Sequence, residues 1–347
     1  MPTTPMYIVS VADDNYAQHL GVMLCSLFEN KKPTTNIELY IIDGGLSSEN
    51  KEKIFSIVNF YKTKLVCLSV DRNLYTNCLV DKYISMAVYY RISIPDIIPK
   101  HIDKILYIDC DTIILNDLTK LWNTNMRNKV VGAIADLPET SSDRKKVLCI
   151  PESSDYFNSG VLLINVIKWK EFDVGWKVRS YLREYPERIS FWDQDALNAI
   201  LYDKFLVLSE RYNVMIFLQS NRIPRTYRNL PVILHYIGQK KPWHLTHGGA
   251  LSKYYFNYLE KTPWNNSLSL KDKKMMLTSF ISDKISFLFI KHGFLRNYEV
   301  LFQLWRFSVY RDFTYSDIKY RFLNKHKTLF EFLRNIKKTL RSLLVRI

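Results

Sequence analysis

The feature that most restricts this chain is a succession of short β-branched runs, separated at first by stretches patterned as helices. "MYIVSVA" at 6–12, "IELYIID" at 37–43 and "KLVCLSV" at 64–70 alternate with "NYAQHLGVMLCSLFENK" at 15–31 and "SSENKEKIFSIVNFYK" at 47–62. Further runs follow at 104–109, 129–136, 159–166 and 232–238. They are runs rather than clean alternations, as expected of strands covered on both faces. Ser47 or Ser48 stands as the N-cap of the second helix, ahead of acidic residues in its first turn. Strand, helix, strand, helix over the first 70 residues predicts an α/β fold with a mostly parallel sheet. In such sheets ligands bind beyond the carboxyl ends of the strands.

Composition narrows the class. With 47% hydrophobic and 14% aromatic residues in 347, the chain can bury a sizeable core. The five cysteines, at 25, 67, 78, 110 and 149, never form CxxC, which predicts free thiols in a reducing compartment. "MPTTPMYIVSVADDNY" lacks a basic leader region and meets Asp13 and Asp14 at once, so no signal peptide is expected. "ISFLFI" at 285–290 is too short to span a bilayer.

The net charge of +15 is uneven. From Asn265 to Ile347 there are 17 Lys/Arg against 6 Asp/Glu; the first 264 residues hold 32 against 28. After about residue 250 the texture turns aromatic, basic and helical, dividing the chain into 1–250 and 251–347. In 328–347, Leu329, Leu333, Ile336, Leu340, Leu343 and Ile347 recur at three- and four-residue steps, with Arg334, Lys337, Lys338 and Arg341 between them. That is a basic amphipathic helix, suited to an anionic membrane surface or to packing on the fold.

Four segments carry chemistry. "KILYIDCDTIIL" at 104–115 sets Asp109 and Asp111 one residue apart in an apolar stretch with no local cation. Residues i and i+2 of a strand share a side, so both carboxylates can face one hard divalent ion such as Mn²⁺ or Mg²⁺. On that reading the pair is underpaired without its ion; the plain alternative is an Asp pair capping a turn. "VADDNY" at 11–16 ends the first strand, where Asp13 or Asn15 could bond a base or ribose and Tyr16 could stack, unless Asp14 or Asn15 merely caps the next helix. "HYIGQKKPWH" at 235–244 puts His235, Gly238 and Lys241 beside a strand end, an arrangement suited to a diphosphate. "FWDQDALN" at 191–198 places Asp193, Gln194 and Asp195 where a helix begins, which is also ordinary helix N-terminal charge.

In order along the chain, "ADDNY", "YRISIPDIIP", "KILYIDCDTIIL", "AIADL", "YFNSGVLLINVIKW", "WDQDALN" and "HYIGQKKPWH" resemble glycosyltransferase family 8 over about residues 6–245. They are most similar to its bacterial lipopolysaccharide and lipooligosaccharide galactosyl- and glucosyltransferases. The resemblance implies a GT-A, Rossmann-like fold and retaining transfer of a hexose from a UDP-sugar, UDP-galactose or UDP-glucose. It implies Mn²⁺, or Mg²⁺, on Asp109, Asp111 and His235. Asp13, Asn15 and Tyr16 would hold uridine, with Ala12 in backbone contact, and Gly238 and Lys241 would hold the diphosphate. Arg91, Asp136, Asn158, Asp193 and Gln194 would surround the donor sugar. Residues 137–156 and those after His244 do not align.

Asp193 and the Gln194 carbonyl are the candidate electron-rich groups beside the anomeric carbon; the resemblance puts the Gln194 amide at that face, which implies a front-face reaction rather than a carboxylate nucleophile. The expected acceptor is a cell-surface glycan such as lipopolysaccharide core, with capsule and glycoprotein acceptors as alternatives. The expected setting is the cytoplasmic face of the cell membrane. A nucleic-acid-binding protein is disfavoured because no recognised binding motif accompanies the basic tail. A metal-dependent phosphohydrolase would need more ligands than the sequence offers. A non-catalytic scaffold fits poorly with the intact acidic pair and His235.

Overall fold

The computed structural model describes residues 5–80, 85–216, 231–244 and 251–265. The chain divides into a unit spanning Met1–Phe280 and one spanning Ile281–Ile347, and the described residues all fall in the first. The expected amphipathic helix near the C-terminus lies outside them.

Ten strands are described: β1 (Met6–Ala12), β2 (Ile37–Asp43), β3 (Lys64–Leu68), β4 (Lys104–Ile108), β5 (Thr112–Ile114), β6 (Val131–Ala135), β7 (Phe157–Asn165), β8 (Phe205–Val207), β9 (Val214–Ile216) and β10 (Ile233–Tyr236). Seven form one sheet in the order β3-β2-β1-β4-β7-β6-β8. Only β7 runs against the rest, pairing antiparallel with β4 and β6. The sheet is mixed and mostly parallel, as expected. β10 lies outside it, in a small sheet ordered β5-β10-β9.

Side chains of β4 explain why the strands read as runs. Leu106 and Ile108 enter one core with Leu20, Leu24 and Ile57, while Ile105 and Tyr107 enter another with Tyr89, Ile92 and Leu197. Both faces are covered, so period two disappears. The helix Ser48–Phe60 is capped by Ser47, whose side chain accepts from Asn50 N. Ahead of the helix Ala17–Asn30, the residue that caps is Asp13, not Asp14 or Asn15: its carboxylate accepts from Tyr16 N at the 3₁₀ turn Asp14–Tyr16. Asp14 instead accepts from Ser47 N and Asn50 Nδ2, each at 2.7 Å, tying the β1 loop to the second helix. The helix Ser252–Leu259 buries Tyr255, Phe256 and Leu259 against Val22 and the small sheet.

Candidate active site

β4 ends at Ile108 and β5 starts at Thr112, so the acidic pair occupies the turn by which the chain leaves the large sheet for the small one. Asp109 N donates to Gly160 O on β7 at 2.8 Å, and Thr112 Oγ1 donates to Asp109 O at 2.8 Å. On β10, His235 is the register partner of Thr112, which brings its imidazole to the pair. One ligand atom from each of Asp109, Asp111 and His235 lies within 4.8 Å of the others. His235 Nε2 is 3.2 Å from Asp111 Oδ1 and 3.9 Å from Asp109 Oδ2.

Asn213 orients that ring. Its Nδ2 donates to Asn158 Oδ1 at 2.8 Å, leaving its oxygen 2.9 Å from His235 Nδ1. The network assigns the proton to Nδ1, so the Nε2 lone pair faces a carboxylate oxygen. Lone pair against lone pair is satisfied by a second proton or by a cation between them. Two carboxylates and an imidazole held by an outer amide make a donor set that fits a divalent ion.

The pair is not underpaired, contrary to the reading from sequence. Lys241 Nζ sits 2.6 Å from Asp111 Oδ2, while Tyr107 OH donates to Asp109 Oδ1 at 2.5 Å and Arg91 Nη2 lies 3.0 Å from the same atom. These cations come from segments 18 positions before and 130 after, where local inspection could not find them. Burial pushes the Asp111 carboxyl up, but Lys241 and His235 outweigh it and hold it well below the usual range.

Arg91 also donates to Ser159 O at 2.6 Å and, through Nε, to Val88 O at 3.2 Å. Asp193 Oδ2 lies 3.1 Å from that same Nε, yet it is buried without a hydrogen bond. Burial pushes the Asp193 carboxyl up to about 6, against the pull of Arg91. Beside it Gln194 is fully engaged: Nε2 donates to Asp136 Oδ2 at 2.8 Å and Tyr156 OH at 3.1 Å, and Oε1 accepts from Asn158 Nδ2 at 3.1 Å and Ser159 N at 3.0 Å. Asp136, Asn158 and Gln194 therefore meet as one polar cluster, while Asp193 pairs with Arg91, which reaches that cluster through Ser159.

Glycosyl transferase family 8 matches over residues 7–247. General stress protein A of Bacillus subtilis strain 168 is 36% identical over 273 residues, covering 75% of this chain and 95% of that protein. The lipopolysaccharide 1,2-glucosyltransferase of Escherichia coli K12 is 26% identical over 294 residues, covering 82% and 85%. A crystal structure of the galactosyltransferase LgtC in complex with donor and acceptor sugar analogues is 25% identical, with TM-score 0.68, covering 78% of this chain and all of that one. The chain belongs to glycosyl transferase family 8. The GT-A architecture expected from its motifs is the one found.

Tyr16 and Trp243 meet edge to face with ring centroids 6.0 Å apart. His19 stacks on Trp243 at 3.5 Å, and its Nδ1 lies 2.6 Å from Tyr255 OH. Burial lowers the His19 imidazole to about 3, so the stack is neutral near pH 7. It docks the segment carrying Gly238 and Lys241 beside the β1 loop, where Ala12 is buried, Asp13 and Tyr16 half-buried and Asn15 exposed. Gly238 has φ +76, a conformation that favours glycine. Sequence reasoning passed over Asn213, Tyr107, Ser159 and Gly160. The last two sit inside "FNSGV", where polar Asn158 and Ser159 and a glycine interrupt an otherwise apolar strand, the available signal.

Proposed function

We propose that this family 8 enzyme is a retaining hexosyltransferase that moves galactose or glucose from a UDP-sugar to a hydroxyl of a cell-surface glycan. The observation that carries the reading is the convergence of Asp109, Asp111 and His235 within 4.8 Å, beside Lys241 and the Asp193–Gln194 cluster. Asp109, Asp111 and His235 would hold Mn²⁺, or Mg²⁺. Such an ion supplies Lewis-acid stabilisation of the departing diphosphate. Lys241, once freed from Asp111, adds a fixed positive charge to the same group, and Gly238 lets backbone approach it. Asp13, Asn15 and Tyr16, with the backbone of Ala12, hold uridine. Arg91 keeps Asp109 in place, while Asp136, Asn158, Asp193 and Gln194 border the sugar. Gln194 is an amide rather than a carboxylate, so it supplies no covalent nucleophile, which favours a front-face reaction in which the leaving phosphate takes the acceptor's proton.

The similarity to the Escherichia coli lipopolysaccharide glucosyltransferase supports lipopolysaccharide core as acceptor. Capsule or glycoprotein acceptors are the alternatives. Residues 1–250 act as the transferase domain, with the helix Ser252–Leu259 packed onto it, and the basic 251–347 region holds the enzyme at the cytoplasmic face of the membrane. Among the described residues no helix is long and apolar enough to cross a membrane. UDP release from a panel of UDP-sugars, with and without Mn²⁺, tests the reaction; no release from any of them overturns it. Flotation with anionic liposomes before and after removal of 325–347 tests the anchor, and unchanged association refutes it.

A further inference from the structure

We propose that Arg144 is a positioning residue: through Asp195 and Tyr156 it fixes which way the Gln194 amide faces. The inference rests on the reading that Gln194 borders the donor sugar. Arg144 belongs to the helix Pro138–Val147, "PETSSDRKKV", which lies between the segments "AIADL" and "YFNSGVLLINVIKW". It is the one buried residue of that helix, 8% exposed. Helices ordinarily dock by an apolar stripe; this one docks by a guanidinium.

The guanidinium forks onto Asp195, Nε to Oδ1 at 3.0 Å and Nη2 to Oδ2 at 2.9 Å. It also donates to Ser190 Oγ at 3.1 Å and to Arg188 O. Arg144 thus closes the loop that precedes the helix Trp192–Leu201, on which Asp193 and Gln194 sit. Asp195, fully buried, accepts in addition from Ser190 N at 2.7 Å and Phe191 N at 2.6 Å. Trp192, between these anchors and the site, has φ +45, a left-handed conformation that the clamp holds in place.

The fifth donor to Asp195 is Tyr156 OH, at 2.8 Å from Oδ1. A carboxylate accepts only, so Tyr156 must spend its single proton there. What Tyr156 offers Gln194 is then a lone pair, and Gln194 Nε2 meets it at 3.1 Å. The amide NH₂ is thereby turned toward Tyr156 and Asp136, and the amide oxygen toward Ser159 N and Asn158 Nδ2. Arg144 and the backbone N–H groups of Ser190 and Phe191 surround Asp195 with donors, Asp195 sets the sense of the tyrosine bond, and the tyrosine adds to Asp136 and Ser159 N in holding the amide.

The test compares Tyr156→Phe, Arg144→Gln, Arg144→Lys and the Tyr156→Phe/Arg144→Gln pair with the wild type. Tyr156→Phe removes the relay and keeps the ion pair, so folding is least at risk. Loss of orientation should lower kcat about 10- to 100-fold, with donor KM and UDP affinity within about twofold. Arg144→Lys should restore part of the loss. The double variant should lose no more than the worse single one, because both cut the same relay. Independently of turnover, side-chain amide exchange of Gln194 by NMR should be slow in the wild type and faster in Tyr156→Phe. An unchanged kcat in Tyr156→Phe, losses that multiply in the double variant, or an equal loss of UDP affinity overturns the proposal. A wild type that leaves every UDP-sugar intact overturns the transferase reading instead, and the amide exchange then decides the relay alone.

Discussion

Gly160 and His235 approach so closely that no side chain fits between β7 and the imidazole. A Cβ on Gly160 would stand 2.7 Å from His235 Nδ1 and 2.9 Å from Asp109 Oδ2, with His235 Cε1 closer still. Gly160 is held by strand pairing and His235 by Asn213, so neither can yield cheaply. Gly160→Ala should cost about 1–3 kcal/mol in folding stability, as overpacking does. It should also weaken Mn²⁺ binding, because the imidazole must move. Denaturant unfolding and metal titration check the two effects; a variant with wild-type metal affinity would separate His235 from the ion site.

Asp109→Asn and Asp111→Asn each remove one carboxylate from the ligand set without changing shape. Losing a direct ligand should exceed the roughly 100-fold that outer partners of a metal site contribute. UDP release at saturating Mn²⁺ is the measurement, and turnover within tenfold of wild type by either variant would contradict the assigned role. Asp109→Asn has a second consequence. It takes a charge from Arg91, leaving that buried cation with Asp193 as its acidic partner.

How much of this was legible beforehand follows from distance along the chain. β1, β2 and β4 were readable because both faces of each strand are apolar, as Ile105 and Leu106 illustrate. β5, β8 and β9 have three residues each, too few to show a period. The reversal of β7 was not readable either, since "FNSGVLLIN" reads alike in either direction. Asp109, Asp111 and His235 stood out because acids and histidine interrupt apolar runs. Asn213 and Tyr156 did not, because each is an ordinary polar residue whose role comes from a partner 22 or 39 positions away. Those separations are set by the fold, not by any local pattern.

Lys241 does two jobs that a substitution should separate. It neutralises Asp111 at 2.6 Å, and on the proposed reaction it moves to the diphosphate. A charge-assisted hydrogen bond contributes about 1.5–3 kcal/mol, so Lys241→Ala should weaken UDP binding by roughly 10- to 150-fold. Without nucleotide, Mn²⁺ should raise the Tm of the variant more than that of the wild type, because Asp111 no longer has an ammonium to exchange. Calorimetry with UDP and a thermal scan with and without Mn²⁺ read the two effects. Unchanged UDP affinity would remove Lys241 from the diphosphate site.

Asp193 should make the protein less stable as pH rises. Arg91 spends its hydrogen bonds on Val88, Ser159 and Asp109, so Asp193 has a nearby charge but an orphaned oxygen. Burial keeps its proton on to about pH 6, against 3.8 for an unperturbed aspartate. A carboxyl whose folded value is raised contributes stability that is fully present below the unfolded value and is lost as pH climbs through the folded one. The window is therefore about pH 4 to 6, and a shift of this size corresponds to about 3 kcal/mol at most. Asp193→Asn should flatten that decline and be more stable than the wild type at pH 8, while losing transfer activity. Urea unfolding of both proteins at pH 4.5 and pH 8 measures the difference. Parallel curves for the two proteins across that range would mean that Asp193 is ionised and paired in the folded state, with no strain stored at the site.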